Sequence, residues 1–150
     1  MGYFLMTKLT EKVAKIEKLV EEGYKVKFYY DLFPLLISPE GELENIFWKE
    51  NSLGPSIYGF IGWFYFTKIR EWSYWIVGFG LSVATKIYSG EGGWDLTFLS
   101  FLAFNGLAAY AYPYFLYESK RRGVKVLSNW RAAILTIAII VVSYLVLQQV

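Results

Sequence analysis

Four stretches of the chain carry no charged side chain: residues 51–67, 72–85, 96–117 and 132–150. An ionised group at the centre of a bilayer costs a few kcal/mol or more, and a crossing helix needs about 20 apolar residues. The last two stretches are therefore long enough to span. The second becomes so when extended through Lys86 to Tyr88, because a lysine near a helix end keeps its stem in lipid and its ammonium among the headgroups. The predicted spans are about 72–88, 96–117 and 131–149. The first stretch is broken by Gly54 and Pro55, and a helix starting at Pro55 reaches Thr67 after only about 20 Å, short of a roughly 30 Å hydrocarbon core. Residues 55–67 are thus predicted as a short aromatic helix, interfacial or re-entrant.

Before these stretches the period changes. Leu9, Val13, Ile16 and Val20 recur at helical spacing, Leu19 widens the stripe, and Gly23 supplies a stop, so residues 7–22 are predicted as an amphipathic helix. Its other face alternates lysine with glutamate, with Glu11 and Lys15 one turn apart, and reads as a solvated surface. Residues 24–37 are aromatic and apolar around Asp31 and Pro34, and Pro39 with Gly41 marks a turn. So short a region encloses no robust core by itself and should pack on the membrane portion, on headgroups or on a partner. The fold class expected is all-α: a multi-pass helical membrane protein with three transmembrane helices, the short aromatic helix and the N-terminal amphipathic helix. Residues 1–52 form a cytoplasmic N-terminal region and residues 53–150 the membrane region.

Composition sharpens this picture. Of 150 residues 55% are hydrophobic, 21% aromatic and 19% charged, and three all-apolar helices leave too little polar surface for a soluble fold of this size to cover them. There is no cysteine and no histidine, which excludes disulfides, thiolate nucleophiles, imidazole bases and the usual zinc sites. A net charge of +2 gives no basic excess of the kind nucleic-acid binding uses. Residues 1–6 have no basic flank of a secretory signal, and Met6 stands where a myristoylation site needs Ser or Thr.

Charge also sets the orientation. The loop before the last span holds Lys120, Arg121, Arg122, Lys125 and Arg131 against Glu118, whereas the loop between the first two spans holds Glu91, with Asp95 just after it. Basic loops stay on the cytoplasmic side, so the C-terminus is expected outside. The seven lysines before Pro55 favour a cytoplasmic N-terminus, which requires that residues 55–67 do not cross. Trp72, Trp130, Tyr114 and Tyr117 then fall at the inner boundary, and Tyr88 and Trp94 at the outer one.

Candidate sites are few. Asn105 sits midway along the second span, followed by Gly106, and Ser100, Ala103, Gly106 and Ala109 trace a small-residue face. Asn105, Gly106 and Ser100 are read as helix-packing or intramembrane polar positions, and Pro113 as a kink. Lys68, Arg70, Trp72, Arg121 and Arg122 are read as membrane-interface residues, with Glu71 pairing to Lys68 and Arg70. No catalytic, cofactor-binding or metal-binding residue is assigned. Residues 90–93 lack the lysine and threonine of a phosphate loop.

At residues 56–72 the run Ser56-Ile57-Tyr58-Gly59-Phe60-Ile61-Gly62-Trp63-Phe64-Tyr65-Phe66-Thr67-Lys68-Ile69-Arg70-Glu71-Trp72 resembles the YigF-like family of small bacterial inner-membrane proteins of unknown function. That family shows aromatics, glycine, more aromatics, then a basic turn into a second apolar segment. The early helix closing at Gly23 and the tyrosine-rich segment from Tyr110 to Arg122 extend the resemblance. This chain departs from the pattern in Ser56, Ile57 and Tyr58 where phenylalanines usually stand, in Ile69 separating Lys68 from Arg70, and in Tyr112 or Tyr114 in place of a usual asparagine. The resemblance implies a multi-pass protein of the bacterial inner (plasma) membrane with a cytoplasmic N-terminal region, and carries over no activity. The function expected is a non-enzymatic interaction or accessory protein without cofactor. The partners expected are the lipid bilayer and a membrane or cytoplasmic protein, with homo-oligomerisation open. The alternative is a small transporter or channel subunit acting as an oligomer.

Overall fold

The structure, a computed structural model, describes residues 2–29, 33–44, 56–89 and 94–149. Helix α1 runs over Gly2–Glu21. Strands β1 (Lys25–Tyr29), β2 (Phe33–Ile37) and β3 (Leu43–Glu44) follow. Helices α2 (Ile57–Phe60), α3 (Gly62–Lys68), α4 (Ser73–Ser89), α5 (Trp94–Arg121) and α6 (Asn129–Leu147) complete the order. Pro55, Asp31 and residues 90–93 with Glu91 lie outside the described residues.

The predicted amphipathic helix is present and reaches back to Gly2. Val13, Ile16 and Leu19 are buried, while Glu11, Lys15, Glu17 and Lys18 face outward. Gly23 closes it at φ 97°, where its N–H donates to the Val20 carbonyl and the Tyr24 N–H to the Leu19 carbonyl, the paired bonds of a left-handed cap.

The all-α expectation is corrected by residues 25–44, which form an antiparallel sheet in the order β1-β2-β3. Lys25 and Lys27 point outward while Val26 and Phe28 turn inward, an alternation of period two that the lysines made visible in the sequence. Pro34 pairs with Phe28, and β3 reaches only Leu36 and Ile37. Among the described residues Pro34 therefore has a strand neighbour on one side alone, where a residue without an N–H is tolerated. The turn expected at Pro39 and Gly41 joins β2 to β3, with the Gly41 N–H on the Ser38 carbonyl.

Helix α5 organises the rest. Its 28 residues make a rod of about 42 Å, longer than a hydrocarbon core needs. Around its second half Ile16, Leu19 and Leu36 enclose Tyr114, while Phe66, Ile69 and Tyr74 pack on Ala108, Ala111, Tyr112 and Phe115. Tyr114, expected at the membrane boundary, is instead 1% exposed in this core. The three stretches predicted as spans are all helical, yet among the described residues only α6 is both long and apolar enough to cross a membrane. Helix α4 stops at 17 residues, and α5 interrupts its apolar run with Asn105, Gly106, Pro113 and several tyrosines.

Candidate functional site

A proline in mid-helix leaves one carbonyl without its donor, and that vacancy builds the centre of this molecule. Helix α5 continues through Pro113, which has no N–H to give the carbonyl of Ala109. The backbone N–H of Ser56 donates to that carbonyl instead, at 2.7 Å. One turn on, Gly59 lies against the α5 backbone so closely that a Cβ there would stand 2.2 Å from the Ala108 carbonyl oxygen and 2.6 Å from Ala109 Cα. The first short helix is thus seated on α5 by a hydrogen bond and a missing side chain together.

The chain then turns at Ile61, between α2 and α3. Gly62 leaves room for the Tyr74 ring, Trp63 meets Phe101 edge-on at 5.2 Å, and Phe66 stacks on Tyr74 at 4.3 Å. Helix α3 ends where the Leu127 N–H donates to the Lys68 carbonyl, at 2.9 Å. Both ends of the α2–α3 segment therefore lie toward the second half of α5 and the loop after it, while Trp63 between them reaches Phe101 in the first half.

Polar groups within this packing are satisfied locally. The Tyr74 hydroxyl donates to Asn105 Oδ1 at 2.8 Å, and Asn105 Nδ2 donates to the Phe101 carbonyl at 2.8 Å. Trp75 Nε1 donates to Thr67 Oγ1 at 2.8 Å, and that hydroxyl donates to the Trp63 carbonyl. Asn105 is 1% exposed and joins α4 to α5. Gly106 makes no close approach, since a Cβ there would meet nothing within 4 Å; close approach occurs at Gly59 against Ala108 and Ala109. Ser100 lines a partly open cavity of about 230 Å³ between α3, α4, α5 and α6, together with Trp63, Trp75, Ser82, Phe104 and Ser143.

The boundary residues gather at the far end of α5. Glu118 accepts from Arg121 Nε and Nη2 at 2.8 and 2.7 Å, a two-pronged pair that holds the Arg121 guanidinium above its ordinary pKa, first by those hydrogen bonds and then by the carboxylate's charge. Glu71 accepts from Ser73 at 2.6 Å and pairs with Arg122 at 3.4 Å, in place of the pairing expected with Lys68 and Arg70. Pairs whose arginine lies this open to solvent are screened and contribute little. Arg70 has a different part: at φ 57° it closes α3 with the same bond pair that Gly23 makes for α1. Trp72 and Trp130 are exposed, as is Tyr88 at the other end of α4. Near that end the Lys86 ammonium donates to the carbonyl of Leu147, tying α4 to the end of α6.

Sequence reasoning missed the Ser56–Ala109 bond and the Lys86–Leu147 tie. The first had a signal, because Pro113 in a helix exposes the carbonyl four residues back; the second had none, since it depends on how two helices end side by side. Among the described residues no group of three or more acidic side chains is placed to hold a metal ion. The chain matches no protein-family model, no curated protein and no solved structure.

Proposed function

We propose that this chain is an integral membrane protein of the plasma (inner) membrane that acts as a non-enzymatic interaction or accessory protein. The observation that carries the reading is the outward face of the long helices. Helix α6 exposes Ile134, Ile137, Val141, Val142, Leu145 and Val146, along about half of its circumference. Helix α4 exposes Ile76 and Ile87, and the first half of α5 exposes Leu99, Leu102 and Leu107. A helix that is apolar on every side belongs in a core or in lipid, and these faces are uncovered. We read α4, the stretch of α5 over residues 96–117 and α6 as three crossings, with α2–α3 re-entrant from the inner surface. Three features support a cytoplasmic N-terminal region: its seven lysines, the basic loop after α5, and the packing of α1 against the same end of α5 that the loop follows. The resemblance to the YigF-like family points to the same membrane. The partner is then a protein met either in the bilayer or on the cytoplasmic side.

A transporter or channel subunit needs a continuous polar path. Here Ser82 and Thr85 donate to carbonyls of their own helix and Asn105 is engaged by Tyr74, so these three polar groups close on protein partners rather than on a path.

The test joins extraction to topology. Most of the protein is expected to stay in the membrane pellet after alkaline carbonate washing, and its recovery in the supernatant would end the membrane reading. The chain has no cysteine, so single cysteines at Lys27, Tyr88 and Ser128 can be probed with a membrane-impermeant thiol reagent in intact bacterial cells. Only the Tyr88 position is expected to label. Labelling at Lys27 with Ser128 protected would place the N-terminal region outside and remove the cytoplasmic partner.

A further inference from the structure

The cavity between α3, α4, α5 and α6 is not used by anything described above. Its volume of about 230 Å³ exceeds the ~150 Å³ that lets an engineered protein cavity take up benzene. Its walls are mostly apolar or aromatic, including Trp63, Trp75, Phe101 and Phe104. The hydroxyls of Ser82 and Thr85 are directed to the carbonyls of Gly78 and of Leu81 and Ser82, which leaves a ligand little but carbon surface to meet along α4. At one end the lining residues Thr85 and Leu147 adjoin Lys86, whose ammonium gives one of its three N–H donors to the Leu147 carbonyl. The site is therefore bipartite, an apolar groove ending at a cation.

We propose that this groove holds one acyl chain of a glycerophospholipid from the surrounding bilayer, with the lipid phosphate at Lys86. The proposal rests on the membrane reading above, because the helices that frame the groove are those whose outer faces are uncovered and apolar. A phospholipid has the same two parts in the same order: an acyl chain that matches the aromatic walls and an anionic phosphodiester that matches the two remaining ammonium donors. An acyl chain also needs no hydrogen bond from the Ser82 and Thr85 hydroxyls, which are engaged within α4. A lysine close to the headgroup level attracts an anion by an amount equivalent to about fivefold in affinity.

The test uses full-length protein in detergent micelles, titrated with two lipids whose acyl chains are dibrominated, phosphatidylglycerol and the phosphate-free diacylglycerol. Bromine quenches tryptophan at short range, and Trp63 and Trp75 report on the groove. Wild type is expected to show saturable quenching, with phosphatidylglycerol binding about fivefold more tightly than diacylglycerol. Lys86→Gln should erase that difference and Lys86→Arg should keep it, whereas Ser143→Phe, which fills the groove from α6, should remove saturable quenching by both lipids. Equal binding of the two lipids by wild type, or undiminished quenching in Ser143→Phe, overturns the proposal. Failure of the site and failure of the membrane reading are separable: protein that stays in the carbonate-washed membrane but shows no saturable quenching refutes the site alone, and protein released by carbonate refutes both.

Discussion

Over residues 108–119 helix α5 is enclosed by α1, β2, α2 and α3, and its alanines and aromatics are almost fully buried. In the turns before, Leu99, Phe101, Leu102 and Leu107 of the same helix stand uncovered, as do most side chains of α6. On the membrane reading proposed above, the two regions face different solvents. In the first, apolar residues face inward and lysines outward, as water demands; in the second the outward residues are the apolar ones. What separates them is less the apolar content of each helix than whether a polar layer is available to cover it. The N-terminal 44 residues supply that layer over the second half of α5 and the cluster of Phe66, Ile69 and Tyr74 packed on it.

The sharpest way to break the comparison is at Gly59, where the enclosed region has no slack. Gly59→Val would drive its side chain into backbone atoms of Ala108 and Ala109, which cannot rotate away. A loss of about 4 kcal/mol is expected, read as failure to obtain a monodisperse, cooperatively melting protein in detergent.

A paired truncation comes next. Ile16→Ala, at a fully buried position, should cost about 2–4 kcal/mol in thermal unfolding, whereas Ile137→Ala on the uncovered face of α6 should cost about 0.5 kcal/mol or less. Equal costs at the two positions would mean that α6 is covered after all, by protein rather than by lipid or detergent.

At the seam between the regions, Asn105→Ala leaves the Tyr74 hydroxyl buried without its acceptor, and about 1–2 kcal/mol should be lost. Adding Tyr74→Phe should restore part of it, so a double-mutant cycle with no coupling would remove the bond from the account of how α4 is held. The smallest effect is a gain. Arg70 adopts a left-handed conformation that favours glycine, and Arg70→Gly should raise stability by about 0.5–1 kcal/mol, seen as a higher melting temperature.

The sequence showed the helices more clearly than their surroundings. Charge-free stretches marked α4, α5 and α6 within a few residues, and the spacing from Leu9 to Val20 marked the buried stripe of α1, because both signals are local. The sheet was legible in Lys25, Val26, Lys27 and Phe28, but five residues of alternation are easily lost among aromatics. What no local pattern carries is which half of α5 the N-terminal region would choose. That choice depends on Tyr114 meeting Ile16 and Leu36, nearly a hundred and about eighty positions earlier. Asn105 was legible as a polar group needing a partner, and the partner, Tyr74, could be named only once α4 lay beside it.

The bond between Ser56 and Ala109 also sets a timetable. Ala109 is made 53 residues after Ser56, and at ribosomal rates of roughly 5–20 residues per second about 3–10 s pass before the acceptor exists. During that interval α1 has emerged with Val13, Ile16 and Leu19 and no surface of α5 to close on. The aromatic run from Tyr58 to Phe66 is likewise without its seat. The nascent chain must keep both near lipid or in the hands of a chaperone until Pro113 has been added and the carbonyl of Ala109 is presented. Slowing synthesis between residues 68 and 109 should therefore raise degradation of the nascent protein.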